Sequence, residues 1–300
     1  MEIKTLTIFT PTYNRSKVII GLFDSIVESM KSLDKDYLVE WMIVDDGSTE
    51  SYSELLDITK SCQIENLSFN YVKKENGGKH TSFNYAIDNC KSDLFICIDD
   101  DDRLVPNALN IIFTLGNKYV NKGYGGFVGR VVDPNNNLLG KTVFEKELIS
   151  NTIEIRDKYH FWGEPEIYYT NVLSNYHFDV FKNERFLTEA YLFDTMSLEH
   201  PFVYTNEVLM VKEYLDGGLT ANGLRIRIKS PIGAVQYYSK RVERSKGIAK
   251  IKARINKVRF NYWLSDEDKV KLSFADCLIV PFAFIMYKRD KKRVSKLWKL

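Results

Sequence analysis

Along the first 120 residues, short apolar runs alternate with segments whose apolar residues return every three or four positions. Leu6-Thr7-Ile8-Phe9-Thr10 is a β-rich run closed by Pro11. Ser16 to Leu33 carries Val18, Ile19, Leu22, Phe23, Ile26, Val27 and Met30, a helical stripe with Ser16 as its N-cap. Leu38 to Val44 predicts a second strand, a helix follows over 51–61, and Leu67 to Val72 predicts a third strand. Gly77-Gly78 precede a helix over 79–89, and a fourth strand is predicted over 93–98. Pro106 stands at the N1-like start of a helix over 107–120. This alternation predicts an α/β fold, a mostly parallel sheet flanked by helices on both faces. Such sheets bind ligands beyond the carboxyl ends of their strands. Three polar clusters fall there: Pro11 to Arg15, Asp45-Asp46-Gly47-Ser48, and Asp99 to Asp102.

The last cluster follows the apolar run Leu94-Phe95-Ile96-Cys97-Ile98. Four consecutive carboxylates repel one another unless a cation sits among them. A hard divalent ion, Mg2+ or Mn2+, suits oxygen ligands and is often held by one or two carboxylates plus substrate phosphates. The pattern therefore points to a metal-bound diphosphate, with a solvated acidic turn as the bland alternative.

Four blocks together resemble a family-2-type glycosyltransferase with the GT-A (Rossmann-like) fold. They are Thr10-Pro11-Thr12-Tyr13-Asn14-Arg15, Ile43-Val44-Asp45-Asp46-Gly47-Ser48-Thr49, Asn76-Gly77-Gly78-Lys79 with Asn84 and Ala86, and Ile98 to Leu104 with Pro106. A second stretch resembles a bacterial subgroup making capsule, lipopolysaccharide or wall polymers. It comprises Gly163-Glu164, Phe178, Phe186-Leu187-Thr188-Glu189 and Glu213 to Thr220. The resemblance implies donor-nucleotide contacts at Pro11, Tyr13, Arg15, Asp45, Asp46, Asn76, Gly78, Lys79, Asp99 and Asp100, and metal contacts at Asp101 and Asp102. Tyr13 would lie against the base, Asp46 would bond the uracil edge, Asp99 would approach the ribose or the metal, and Asp101 would be the main metal ligand. Structural roles stay open for each: Tyr13 as a packed turn aromatic, Asp46-Gly47-Ser48 as a turn with a helix cap, Lys79 as a surface residue.

The resemblance also implies inversion by a single displacement, with a carboxylate general base. The family's base usually sits in an Asp-containing motif, often Thr-Glu-Asp, at the start of a helix; here the stretch reads Thr188-Glu189-Ala190. Glu189 is the first candidate and Asp194 the second, although a first-turn carboxylate also suits a helix N-terminus. Glu164 and Glu166 are candidates for the acceptor side, and His160 reads as a packed histidine. No Gln-x-x-Arg-Trp motif of processive relatives is present, which favours addition of one sugar to a glycan or polyprenyl-linked acceptor. The implied donor is a UDP- or dTDP-sugar.

The net charge of +2 hides an asymmetry. Residues 225–300 hold 21 Lys and Arg against six Asp and Glu, a surplus the acidic remainder nearly cancels. The expected organisation is a catalytic domain over 1–224, its nucleotide half 1–120 and acceptor half 121–224, then a basic helical region over 225–300. Lys240 to Arg259 reads as one basic amphipathic helix. The apolar stretch Cys277 to Tyr287, followed by Lys288 to Arg293, is too short to span a bilayer and reads as an in-plane anchor on an anionic leaflet. A C-terminal helix packed on the catalytic domain is the alternative. The four cysteines, none at metal-ligand spacing, and an N-terminus without signal-peptide pattern point to the cytoplasm, peripheral on the inner membrane face. Three rivals remain. A nucleotidyltransferase would want a glycine-rich loop that Thr10 to Arg15 lacks. A nucleic-acid binder using the basic tail lacks a recognisable module, and no nucleic acid is expected. An inactive scaffold is kept open by Ala190.

Overall fold

The computed structural model describes residues 2–140, 143–159, 165–212 and 223–297. The first elements alternate as the hydrophobic pattern requires: β1 (Thr5–Thr12), α1 (Ile19–Met30), β2 (Leu38–Asp45), α2 (Ser53–Ser61), β3 (Leu67–Lys73), α3 (Lys79–Asn89), β4 (Leu94–Cys97), a short β5 (Asp102–Leu104) and α4 (Ala108–Tyr119). β1 is buried at every position after Thr5, as a central parallel strand covered on both faces must be. It pairs in parallel with β2 and with β4, and β2 pairs in parallel with β3. The carboxyl ends of these strands therefore share one edge. α3 is fixed to the sheet by Phe83, fully buried, its ring 5.1 Å edge-on from Phe9 and 5.5 Å from Phe95. Truncating such a side chain to alanine costs roughly 3–5 kcal/mol. That packing sets where the first residue of α3, Lys79, meets the strand ends.

The sheet continues through β6 (Gly126–Val132), β7 (Leu148–Ser150), β8 (Glu166–Tyr169) and β9 (Phe202–Lys212), interleaved with α5 (Thr152–Tyr159), α6 (Thr170–Leu173) and α7 (Ala190–Glu199). The strand order is β3-β2-β1-β4-β8-β6-β9-β5, with β7 also on β9. Pairing is wholly parallel from β3 to β4, then mixed. β8 is antiparallel to β4 and β6, and β9 is parallel to β6 but antiparallel to β5 and β7.

α1 starts later than its apolar stripe suggests. Its N-cap position is Val18, without a side-chain cap. The backbone N–H and hydroxyl of Ser16 both donate to Glu50 instead, because the chain before Val18 belongs to the strand-edge loop.

The chain forms two compact units. One holds the residues through Phe178 together with those from Leu192 to the end of β9; the other holds Asp179–Tyr191 and the described C-terminal residues. The second unit contains α8 (Gly223–Lys229), α9 (Pro231–Arg244), α10 (Gly247–Asn261), α11 (Phe274–Cys277) and α12 (Val280–Leu297). Its core includes Ile228, Val235, Phe260, Leu264 and Val294. Buried Glu184 accepts the first free amides of α9, from Ile232 (2.6 Å) and Gly233 (2.7 Å), which ties residues 179–191 to this unit. The single basic helix expected over 240–259 is two helices: the chain breaks after Arg244, and Gly247 takes φ +53°. Among the described residues, no helix is long and apolar enough to cross a membrane.

Candidate active site

At the shared edge, β1, β2 and β4 deliver three loops to one place. Asn14, at φ +52°, accepts the backbone N–H of Thr49 (2.8 Å) and donates its own to Ser48 Oγ (2.8 Å), joining the loops after β1 and β2. The half-exposed ring of Tyr13 stands beside them, and Pro11 lies within β1, level with Val44.

Asp45 and Asp46 do different things. Asp45 is fully buried and accepts from Ser48 N–H (2.7 Å) and the Tyr71 hydroxyl (2.8 Å). It shapes the turn in which Gly47 sits at φ +82°, where a Cβ would come 2.8 Å from the amide nitrogen of Asn76. Asp46 accepts from the amides of Gly77 (3.0 Å) and Gly78 (2.7 Å) and from Lys74 Nζ (2.7 Å). Lys74 also donates to Thr81 Oγ1 (2.8 Å), tying the loop to α3. Asp46 is thus a fixed carboxylate, held by a loop that wraps it.

The aspartate tetrad divides by side-chain direction. Asp100 is buried, accepting from Thr12 Oγ1 (2.8 Å) and Arg15 Nη1 (2.8 Å). Burial pushes its carboxyl up, against the pull of Arg15 and Thr12. Asp102, in β5, is buried against Lys212 Nζ (3.1 Å), and burial, only partly offset by Lys212, pushes it up to about 6. Asp99 and Asp101 keep more contact with solvent, their side chains 37% and 19% exposed. Asp99 is ion-paired with Lys79, and Asp101 shares Arg15 with Asp100 (2.8 Å). Burial works against ionisation of Asp99, but Lys79, Lys212 and Arg15 outweigh it and hold the carboxyl below its usual range. Burial likewise opposes the Arg15 charge, and Asp100 and Asp101 more than compensate.

The donor set is all hard oxygen, and Asp99 and Asp101, one residue apart, are its open members. Among the described residues no three His, Cys, Asp or Glu side chains converge as a protein-only cage. Two open carboxylates are the share that Mg2+ or Mn2+ commonly takes from protein at phosphate sites, substrate oxygens and water supplying the rest.

The structure therefore brings Arg15, Lys79 and the four aspartates into one network, beside a second built on Asp45, Asp46 and Gly78, with Asn76 next to Gly47. Lys74, Tyr71 and Lys212 complete these networks without being singled out by the sequence, and Thr12, part of the block Thr10 to Arg15 but given no role there, joins them. Their one available signal is position, since Thr12 and Lys212 end β1 and β9 and Lys74 follows β3. Asp194 is buried in the first unit, accepting from Thr152 Oγ1 (2.7 Å) and paired with Arg156. Glu189 is half-buried in the second unit. Glu166 opens β8 and accepts from the Tyr168 hydroxyl (3.2 Å). His160, Gly163, Glu164 and Glu213 to Thr220 lie outside the described residues.

The model of a family described as Glycosyl transferase family 2 matches residues 7–183. An uncharacterized glycosyltransferase of Rickettsia bellii is 30% identical over 139 residues, 45% of this chain and 18% of that protein. One from Mycoplasma genitalium is 31% identical over 108 residues, 35% of each chain. The matched stretches thus span about a fifth to a third of those relatives. Residues 1–349 of S. aureus TarS superpose with a TM-score of 0.56 at 14% identity, covering 100% of this chain and 91% of that one. The same protein in complex with UDP-GlcNAc gives 0.55 at 14%, covering 97% and 81%. Mannosyltransferase PcManGT from Pyrobaculum calidifontis, in complex with GDP-Man and Mn2+, gives 0.53 at 16%, covering 98% and 84%. These likenesses show that the fold is GT-A.

Proposed function

The chain belongs to glycosyl transferase family 2, and from that premise we propose that it moves one sugar from a UDP- or dTDP-sugar to a hydroxyl of a glycan or polyprenyl-linked acceptor in bacterial surface polysaccharide synthesis, at the cytoplasmic face of the membrane. The observation that carries this reading is the pair Asp99 and Asp101, open at the end of β4 with Lys79 and Arg15 on them, beside the fixed carboxylate of Asp46.

Each residue then has a task. Tyr13 offers its exposed ring to the pyrimidine, and Asp46 accepts the ring N–H of uracil or thymine. Lys79 and Arg15 carry the positive charge a diphosphate attracts. Asp101, with Asp99 beside it, would hold Mn2+ or Mg2+, which when bound supplies Lewis-acid stabilisation of the departing diphosphate. Asp100 and Asp102, turned inward on Arg15 and Lys212, act as struts of the loop. Glu189 takes the proton of the acceptor hydroxyl as its oxygen bonds to the anomeric carbon and the carbon–diphosphate bond breaks, inverting that centre. Asp194, committed to Thr152 and Arg156, is structural.

Calorimetry of UDP and dTDP with and without Mn2+, on the wild type and Asp101→Ala, tests the reading. Metal-dependent binding that the variant loses is the expected result. No binding of either nucleotide under any metal condition would overturn it. Hydrolysis of a UDP-sugar by the wild type would exclude an inactive scaffold.

A further inference from the structure

The last stretch of the second unit, from Leu272 on, buries both of its acids and exposes a run of cations. Between Leu272 and Leu297 there are two carboxylates, Asp276 and Asp290, and both are buried. Asp276 forms a capping box with Ser273 and accepts from Arg254 (2.9 Å) and Lys257 (2.8 Å). Asp290 is paired with Arg259 (2.5 and 2.7 Å). Lys288, Arg289, Lys291, Lys292 and Arg293 are all exposed. No carboxylate on this stretch faces water to offset them.

Immediately before that cluster, Phe274, Leu278, Phe282 and Ile285 are 83%, 65%, 64% and 57% exposed. Phe274 and Leu278 stand in α11 and at its C-terminal end, and Phe282 and Ile285 lie on one side of α12, which Arg289 and Lys292 continue at intervals of four and three. The other side of α12 is buried at Ala283, Asp290 and Val294, the last within the unit's core. Most of each of these four side chains, an apolar ridge, is thus left in water by the unit's own packing. Four large apolar side chains so exposed mark an interaction surface.

We propose that the ridge docks in-plane on an anionic lipid bilayer. Phe274, Leu278, Phe282 and Ile285 enter the boundary between headgroups and acyl chains, and Lys288 to Arg293 meet the lipid phosphates. Charge complementarity selects this occupant. A second copy stacked ridge on ridge would set two cation clusters together, since residues 272–297 expose no carboxylate, and a nucleic acid would leave the apolar side chains in water. The inference deepens the polyprenyl-linked-acceptor reading and rests on it for its purpose, while its residues belong to the second unit alone.

Co-sedimentation of the full chain with phosphatidylcholine vesicles, with and without phosphatidylglycerol, tests it, with UDP binding measured on the same preparation. The wild type is expected on phosphatidylglycerol vesicles, released by salt. Lys288→Glu/Arg289→Glu/Lys292→Glu should weaken that binding at least about tenfold. Phe274→Ser/Phe282→Ser/Ile285→Ser should weaken it comparably while circular dichroism and UDP binding stay unchanged. Three results overturn the proposal: no sedimentation by a chain that binds UDP, unchanged sedimentation of the serine variant, or a wild-type dimer that the serine variant converts to monomer without any lipid binding. Loss of UDP binding with vesicle binding intact would strike the proposed function instead.

Discussion

Carboxylates at the end of β4 and carboxylates in the C-terminal helices are handled in opposite ways. Where the strand stops, Asp99 and Asp101 stay partly open and cations come to them from neighbouring elements. In the helices, Asp276 and Asp290 are enclosed, and the cations left over face outward. Their acidities follow local charge partners instead, open Asp99 and enclosed Asp276 both being held low. Asp102, inner member of the tetrad, is pushed up to about 6 by burial that Lys212 only partly offsets. Burial also opposes ionisation of Asp276, but Lys257 and Ser273 outweigh it and hold the carboxyl at about 2. A carboxylate with spare valence for a ligand and one used up as a strut are thus the same residue under different local satisfaction.

Glu189 can break that division most sharply, because it is an acid of the second unit to which chemistry has been given. Glu189→Gln should lower turnover by about 10²–10⁴-fold with the melting temperature unchanged, whereas Asp194→Asn should lower stability and leave turnover of the folded protein nearly intact. The reverse pattern in donor-hydrolysis and melting assays would exchange their roles. At the strand edge, Asp101→Ala should cost about 10²–10³-fold in kcat/KM without a comparable loss of stability. Asp276→Asn should do the opposite, removing about 2 kcal/mol while the folded fraction stays active. A carboxyl depressed to about 2 stabilises fully above the ordinary carboxylate range and loses that contribution as pH falls toward 2. Acid unfolding of the Asn variant, followed by near-ultraviolet circular dichroism, should accordingly be less steep between those limits. The smallest effect is expected for Lys74→Met, which loosens the hold on Asp46 and should raise the KM for the donor about tenfold with kcat little changed.

The sequence carries the parallel half of the sheet well, because consecutive strands and helices there bury one continuous pattern. α3 begins and ends where its apolar spacing and the preceding Gly77-Gly78 place it. Ser16 misled because a serine ahead of an apolar stripe looks the same whether it caps the helix or bonds Glu50 from a loop. The mixed half is illegible for a different reason. β9 pairs with β5, β6 and β7, and β5 is three residues long, so the register comes from contacts distant in sequence. The strand-end aspartates could be read as one cluster and a candidate site, but not which of the four turn inward, since that depends on Thr12, Arg15 and Lys212. Lys74 was missed because a lysine outside any periodic segment gives no sign of its partner. In the tail, counting charge revealed the surplus, and only burial reveals that both acids after Leu272 are spent internally.

The loop wrapped around Asp46 has a consequence for altering donor choice. The carboxylate proposed to meet the base is also the anchor of Gly77, Gly78 and Lys74, and through Thr81 of the start of α3. Replacing Asp46 to welcome a different base would release the segment that leads into α3 at Lys79. On the proposed role of Asp46, nucleotide preference is therefore not a one-codon trait: a substitution there has to arrive together with a new anchor for the loop, a coupling that an engineer must design in pairs and that a drifting lineage crosses only through a weakened intermediate.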